Sequence, residues 1–137
     1  MSQITIKASD ESMQAVNDFI HSHIPANCDG TVLNQIDLAV EEIFVNIAHY
    51  SGSAEAEISC DYLVDGAGTG VLEIEFADAG KPFDPLARPD PDLTLSAEER
   101  EIGGLGIFLT KKFMDSVEYD YSEGKNKLKI RKCIIRL

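Results

Sequence analysis

Polar and apolar residues alternate repeatedly along the 137-residue chain, with the period of two expected of strands that bury one face. Gln3 to Ala8 sets Ile4, Ile6 and Ala8 on one side. Ala54 to Leu63 sets Ala54, Ala56, Ile58, Cys60 and Tyr62 against Glu55, Glu57, Ser59 and Asp61. Val71 to Ala77 sets Leu72, Ile74 and Phe76 on one face. The link Asp65-Gly66-Ala67-Gly68-Thr69-Gly70 makes the last two runs a hairpin. One-sided alternation in both predicts an antiparallel pair packed on helices. Val117, Tyr119 and Tyr121 alternate again, Ser122 to Asn126 turns the chain, and Leu128, Ile130, Cys133, Ile135 and Leu137 finish it. The change of phase near Lys132 predicts a bulge there.

Helical spacing appears between these runs. Ser9 or Asp10 caps a helix predicted to reach about Ile24, with Pro25 as its stop. Its His21 and His23, two apart, point to different faces and do not share a metal. The turn Asp29-Gly30-Thr31 leads into a second helix, about Val32 to His49. Leu33, Ile36, Val40, Ile43, Phe44 and Ile47 form its apolar stripe. Glu42 and Asn46 fall nearly opposite. Leu38, Ala39 and Val45 flank the pair, so this side is not a plain charged surface. Asparagine is also poorly suited to a helix interior without a local role. Residues 81–103 break regular structure with Pro82, Pro85, Pro89 and Pro91. Only Ser96 to Arg100 reads as a helical turn, with Ser96 and Glu99 forming a capping box. Such a stretch is either a disordered loop or a functional lid. Leu105 to Met114 reads as a helix that begins at glycines.

The length fits one domain, residues 1–137. No apolar run approaches the roughly 20 residues of a membrane span, and the N-terminus lacks the layout of a signal peptide. Cys28, Cys60 and Cys133 are odd in number with no C-x-x-C spacing, as in reduced thiols of a cytoplasmic protein. The net charge of −12 argues against nucleic acid as a partner. Residues 1–103 hold 20 acidic and 4 basic residues, net −16, and residues 104–137 hold 4 acidic and 8 basic, net +4. This is either a solvated surface with a basic final strand or an acidic docking face for a basic partner.

The candidate chemistry lies in two glycine-bearing segments, Asp78-Ala79-Gly80-Lys81-Pro82-Phe83-Asp84-Pro85 and Gly103-Gly104-Leu105-Gly106-Ile107, with Glu42 and Asn46 before both. There is no G-x-x-x-x-G-K-[ST] and no G-x-G-x-x-G after a strand. Glycines opening a helix let backbone N–H groups approach a phosphate, which the helix dipole also favours. Asp78 ends a strand and can accept the exocyclic amine of adenine, or simply close an Asx-turn. Asn46 offers an amide oxygen to Mg²⁺, which takes few protein ligands and bridges phosphates. Glu42 stands one turn away and can take a proton from a hydroxyl nucleophile. Glu41 sits about 100° round the wheel and is the poorer base.

In this order these residues resemble the histidine-kinase-like ATPase superfamily with its N, G1 and G2 boxes. Val40 to Ile47 matches the first, Asp78 to Pro85 the second and Gly103 to Leu109 the third. A chain this short is similar to the anti-sigma-factor serine kinases, and the similarity covers nearly all of it. The resemblance implies an α+β fold: a Bergerat-type ATP-binding sandwich, with a mixed, mostly antiparallel sheet, helices on one face and an ATP lid at about 84–103. It implies ATP and Mg²⁺ as cofactors, Asn46 on the metal, Asp78 on adenine, and Gly80, Pro82, Phe83, Arg100, Gly103, Gly104, Leu105 and Gly106 around the nucleotide, with Glu42 as base. It implies as partners a small STAS-type anti-sigma-factor antagonist, phosphorylated on serine or threonine, and a sigma factor sequestered often by a dimer; neither nucleic acid nor membrane is among them. The chain departs from the family pattern at three places. Ile102 stands where some members have arginine, with Arg100 two residues further back. Gly124-Lys125-Asn126 replaces a common Gly-Thr pair. Ile47-Ala48-His49-Tyr50 shifts a His-Ala-Tyr run by one residue. A nucleotide-gated binding module with little transfer activity is the alternative reading of the same residues.

Overall fold

The computed structural model describes residues 2–87 and 104–135. Strand β1 (Ser2–Lys7) precedes a short 3₁₀ turn and helix α1 (Met13–His21). Helix α2 (Gly30–Tyr50) follows, then strands β2 (Glu55–Val64) and β3 (Gly70–Asp78), helix α3 (Gly104–Phe113), and strands β4 (Ser116–Ser122) and β5 (Lys125–Ile135). The strands form one sheet in the order β1-β2-β3-β5-β4. Every pairing is antiparallel, so the mixed sheet expected from the sequence is antiparallel throughout among the described residues.

Helix α2 starts where Asp29 accepts a hydrogen bond from the Thr31 N–H at 2.8 Å, which satisfies one of the donors orphaned at a helix start. Its buried stripe is Ile36, Ala39, Val40, Ile43 and Phe44. These meet Ala56, Ile58 and Cys60 of β2, Leu72, Ile74 and Phe76 of β3, and Leu128 and Ile130 of β5 in a single core. Val16 and Ile20 of α1 join it. All of the sheet residues named lie on the face that the alternation predicts. Ala54 departs from it, being exposed just outside β2. Helix α1 also ends earlier than the sequence suggests, at His21 rather than near Ile24. The next residues close as turns, Ser22 N–H to the Asp18 carbonyl and Ile24 N–H to that of His21.

The register of β5 corrects another expectation. Its inward phase does not slip at Lys132. Lys132 pairs with Leu72 on the core face, and its ammonium reaches back to donate to the Phe113 carbonyl, a long stem lying along apolar surface with its charge at the rim. Ile134 then packs on the core. The bulge predicted near Lys132 is present but lies just beyond it, where Gly70 and Val71 pair with Ile135 and Cys133.

On the opposite face β5 sets its cations between acidic strands. Arg131 donates to Glu73 at 2.7 Å and lies 3.4 Å from Glu118. Lys129 stands 3.7 Å from both Glu73 and Glu75, and Lys125 pairs with Glu57. The cationic C-terminal segment is therefore a strand compensated by its neighbours in the sheet. Among the described residues no helix is long and apolar enough to cross a membrane. Cys60 is fully buried, and burial, with the Asp61 charge adding, pushes its thiol up to about 12.

Phe44 is among the largest fully buried side chains and joins α2 to the sheet. Phe44→Ala is expected to lower stability by about 3–5 kcal/mol, measured as a shift in urea midpoint at unchanged slope. A loss within 1 kcal/mol, on the order of a surface substitution, would contradict this account of the core.

Candidate functional site

The end of β3 and the end of α2 meet at Gly80. A Cβ at this position would lie 2.2 Å from the Ser51 carbonyl oxygen, so only glycine lets the loop after Asp78 pass the helix terminus. Asp78 is 7% exposed although it ends its strand. Its Oδ1 accepts from the Gly80 N–H at 2.9 Å, closing an Asx-turn, and from Asn126 Nδ2 at 3.2 Å. Among the described residues no hydrogen bond falls on Oδ2, which leaves that oxygen for a donor from outside the protein.

Asn126 organises this loop. It pairs with Asp78 across the β3–β5 ladder. Its Nδ2 also donates to the Lys81 carbonyl at 2.8 Å and, more loosely, to that of Gly80 at 3.4 Å. Its Oδ1 accepts from the Phe83 N–H at 2.9 Å and from the Tyr119 hydroxyl. With an N–H on one side and a carbonyl on the other, the network itself assigns the amide orientation. The side chain is thus saturated by the loop it holds. Sequence reasoning missed it, treating Asn126 only as part of a turn that departs from a family pattern. The available signal was an asparagine at an inward position of an alternating strand, where such residues are depleted. The register that delivers it comes from the turn: Ser122 pairs with Lys125, and Glu123 and Gly124 between them both have positive φ, 57° and 75°, as a two-residue type I′ hairpin requires.

Glu42 and Asn46 lie one turn apart on α2, and Asn46 Nδ2 donates to Glu42 Oε1 at 3.2 Å. Both are half-buried, less exposed than their place opposite the apolar stripe suggests, because α3 packs against this side of α2. Spending its N–H on Glu42 turns the Asn46 amide oxygen toward other partners, and that oxygen suits a hard cation. No cluster of three or more His, Cys, Asp or Glu side chains able to hold a metal occurs among the described residues. A single amide oxygen beside a carboxylate suits a cation that takes most of its ligands from water and an anionic guest, as Mg²⁺ does. His21 and His23 are engaged separately, with Asp37 at 2.6 Å and the Phe19 carbonyl at 2.9 Å.

Helix α3 begins at Gly104, as expected, and contains Leu105 and Gly106. A helix start carries N–H groups without intrahelical partners and the positive end of the dipole. Pro82 and Phe83 are exposed, Phe83 by 58%, and form the outer rim of the loop. Arg100, Gly103 and residues 88–102 of the expected lid lie outside the described residues.

Two consequences concern stability. Gly80→Ala forces the loop away from Ser51, and overpacking of this kind costs about 1–3 kcal/mol; a urea titration superimposable on that of wild type would show that the loop has room. Burial pushes the Tyr119 phenol above its ordinary value, with the charges of Asp84 and Asp78 adding and the Phe83 N–H bond opposing. A raised pKa means that the folded state holds this proton more tightly. The stabilisation is complete below the unfolded value of about 10 and is lost as pH rises through the folded one. Tyr119→Phe is therefore expected to flatten the alkaline limb of the stability–pH curve above about pH 10, and an unchanged slope there would remove Tyr119 from the account.

With this geometry in view, comparison with known proteins is specific. The profile of the histidine kinase-like ATPase domain matches residues 6–132. The chain is 34% identical over 98 residues to the serine-protein kinase RsbW of Listeria monocytogenes serovar 1/2a, covering 67% of this chain and 60% of that one. The RsbW of Listeria innocua serovar 6a is 32% identical over the same extent. The chain thus spans 60% of the length of these curated relatives. A crystal structure of the RsbU and RsbW domains of a Mycobacterium tuberculosis protein superimposes with a TM-score of 0.64 at 10% identity, covering all of this chain and 34% of that one; at that identity the likeness concerns the fold. Since the profile runs from β1 into β5 and takes in Glu42, Asn46, Asp78 and the start of α3, the chain belongs to the histidine kinase-like ATPase domain family.

Proposed function

We propose that this protein is an ATP-dependent serine/threonine kinase that phosphorylates a small STAS-type anti-sigma-factor antagonist and binds a sigma factor, in a cytoplasmic partner-switching circuit. The observation that carries the reading is the order of groups along α2. Ser51 backs the Asp78–Gly80 turn. Asn46 lies just over one turn before it, and Glu42 one turn before that. An ATP molecule laid along this line, with adenine at Asp78 Oδ2, brings its phosphates to Asn46 and the first N–H groups of α3, and its γ-phosphoryl toward Glu42. The RsbW names of the relatives support a serine substrate.

In this mechanism Asp78 accepts the adenine amine while Asn126 holds its other oxygen. Asn46 would hold Mg²⁺, which would supply neutralisation of phosphate charge when bound. Glu42 accepts the proton of the acceptor hydroxyl. The acceptor oxygen bonds to the γ-phosphorus as the bond from phosphorus to the bridging oxygen breaks, and ADP leaves with that electron pair. Backbone N–H groups at the start of α3 stabilise the charge on the transferring group. Ile102, where some relatives carry an arginine, favours a second reading in which nucleotide gates partner binding with little transfer.

Calorimetric titration of ATP with and without Mg²⁺, into wild type and Asp78→Asn, tests the pocket. Transfer of labelled γ-phosphate to a panel of recombinant antagonist domains from the same genome tests the kinase. Binding is expected to need Asp78. Glu42→Ala is expected to keep binding and lose about 10²–10⁴-fold in transfer. Transfer by that variant at the wild-type rate would sink the base assignment. Nucleotide-dependent partner binding with no transfer by wild type would select the gated module.

A further inference from the structure

Beyond Glu42, in the direction away from Asn46, the surface between α2 and α3 is concave and mostly apolar. Leu38, Ala39 and Glu42 form one wall and Leu109, Thr110 and Phe113 the other. Leu38, Glu42 and Asn46 are spaced four apart, so they form one stripe along α2. At a rise of 1.5 Å per residue each step is about 6 Å. Leu38 is 53% exposed, although it sits beside a carboxylate that the reaction would use.

We infer that this concavity receives the segment of the protein substrate that flanks the phosphorylated hydroxyl, seating an aliphatic side chain of that segment against Leu38, Leu109 and Phe113. The inference rests on the kinase reading and deepens it. A hydroxyl deprotonated by Glu42 must come within hydrogen-bond reach of its carboxylate. The ATP side of Glu42 is taken by Asn46 and the phosphates, so the acceptor enters from the Leu38 side. A backbone arriving there lays the residues beside its serine or threonine into the concavity. The walls decide what those residues are. The concavity is open to solvent on one side, and its volume of about 80 Å³ suits one branched aliphatic side chain. Charge selects the surroundings. Residues 8–54 carry seven acidic side chains and neither lysine nor arginine, and the exposed Glu41 is one turn from Leu38. The α3 wall carries Lys111 and Lys112 instead, so basic neighbours are expected only on the part of the segment that faces α2.

The test measures labelled phosphoryl transfer from Mg-ATP to two probes: a degenerate peptide library with one fixed serine, and the panel of antagonist domains. Wild type is expected to select Leu, Ile, Val or Met next to the serine, with Lys or Arg enriched nearby. Leu38→Asp is expected to erase that selection and to raise KM for the acceptor about tenfold or more, the size of effect a lost aliphatic contact gives. Calorimetric affinity for Mg-ATP should stay unchanged. Leu38→Met should restore both selection and KM. Leu38 is already half exposed, so neither change is a lesion of the core. Transfer with the same selectivity and acceptor KM in wild type and Leu38→Asp overturns the inference and leaves the kinase reading standing. A change in KM for ATP alone also overturns it, because the residue would then act on the nucleotide. Absence of transfer to every probe, in protein that binds Mg-ATP, removes the kinase reading and the inference with it.

Discussion

Side chains alternate along a strand, so slipping β5 by one residue would turn Asn126 out of the site and bring Lys127 into it. Much else depends on that register. The type I′ turn at Glu123-Gly124 fixes it from one end, at the expense of a non-glycine residue with positive φ. The core fixes it from the middle, since Leu128 and Ile130 must face the helices. The ion pairs of Lys129 and Arg131 with Glu73, Glu75 and Glu118 favour it on the far face. Once it is set, Asn126 stands opposite Asp78 and the loop to Phe83 has only one way to close. Four of the loop's hydrogen bonds converge on this one side chain.

Helix α2 does the corresponding work from the other layer. One stripe, Ile36 to Phe44, is buried in the core, and the stripe nearly opposite carries Leu38, Glu42 and Asn46. A rigid helix holds groups at multiples of its rise better than a loop does. Its end also bears on the loop, through Ser51 against Gly80. The strand that carries Asp78 and the helix that carries Glu42 are therefore located relative to each other twice, by the core and by this backbone contact. Catalysis that depends chiefly on positioning, as phosphoryl transfer does, benefits from such a double constraint.

Much of this was legible in the sequence, because strand alternation and helix periodicity are local signals. The runs 54–63 and 71–77, the α2 stripe and the start of α3 at its glycines all came from spacing. Glu42 and Asn46 stood out because an asparagine sits poorly inside a helix, and the structure does bring them into hydrogen-bond contact. What stayed hidden depended on strand order. Nothing local says that β5 inserts between β3 and β4, so neither the Asn126–Asp78 pair nor the reach of Tyr119 could be read. The same ignorance placed the change of phase at Lys132, just short of the actual bulge. A lysine at an inward position looks like a break in phase until α3 supplies the Phe113 carbonyl for its ammonium.

Strand order also explains the uneven charge. Four cations of β5, Lys125, Lys127, Lys129 and Arg131, lie on the open face of the sheet, and each is within 4.0 Å of a glutamate. Such exposed pairs contribute little stability individually, but they neutralise one another locally, so that face presents little net field. In the helical layer the only lysines on the described helices are Lys111 and Lys112 of α3, and they offset only part of its acidic charge. Between Ala8 and Ala54 there is no lysine or arginine against seven acids, and the two ion pairs described there depend on His21 and His49 being protonated. The α1–α2 part of that layer, which carries Glu42, is thus strongly negative. A surface with that field repels acidic chains and gathers basic ones before contact, and this acts mostly on the rate of encounter. Electrostatics and the apolar concavity therefore act in sequence, the first bringing a basic segment to α2 and the second fixing where along α2 its hydroxyl comes to rest.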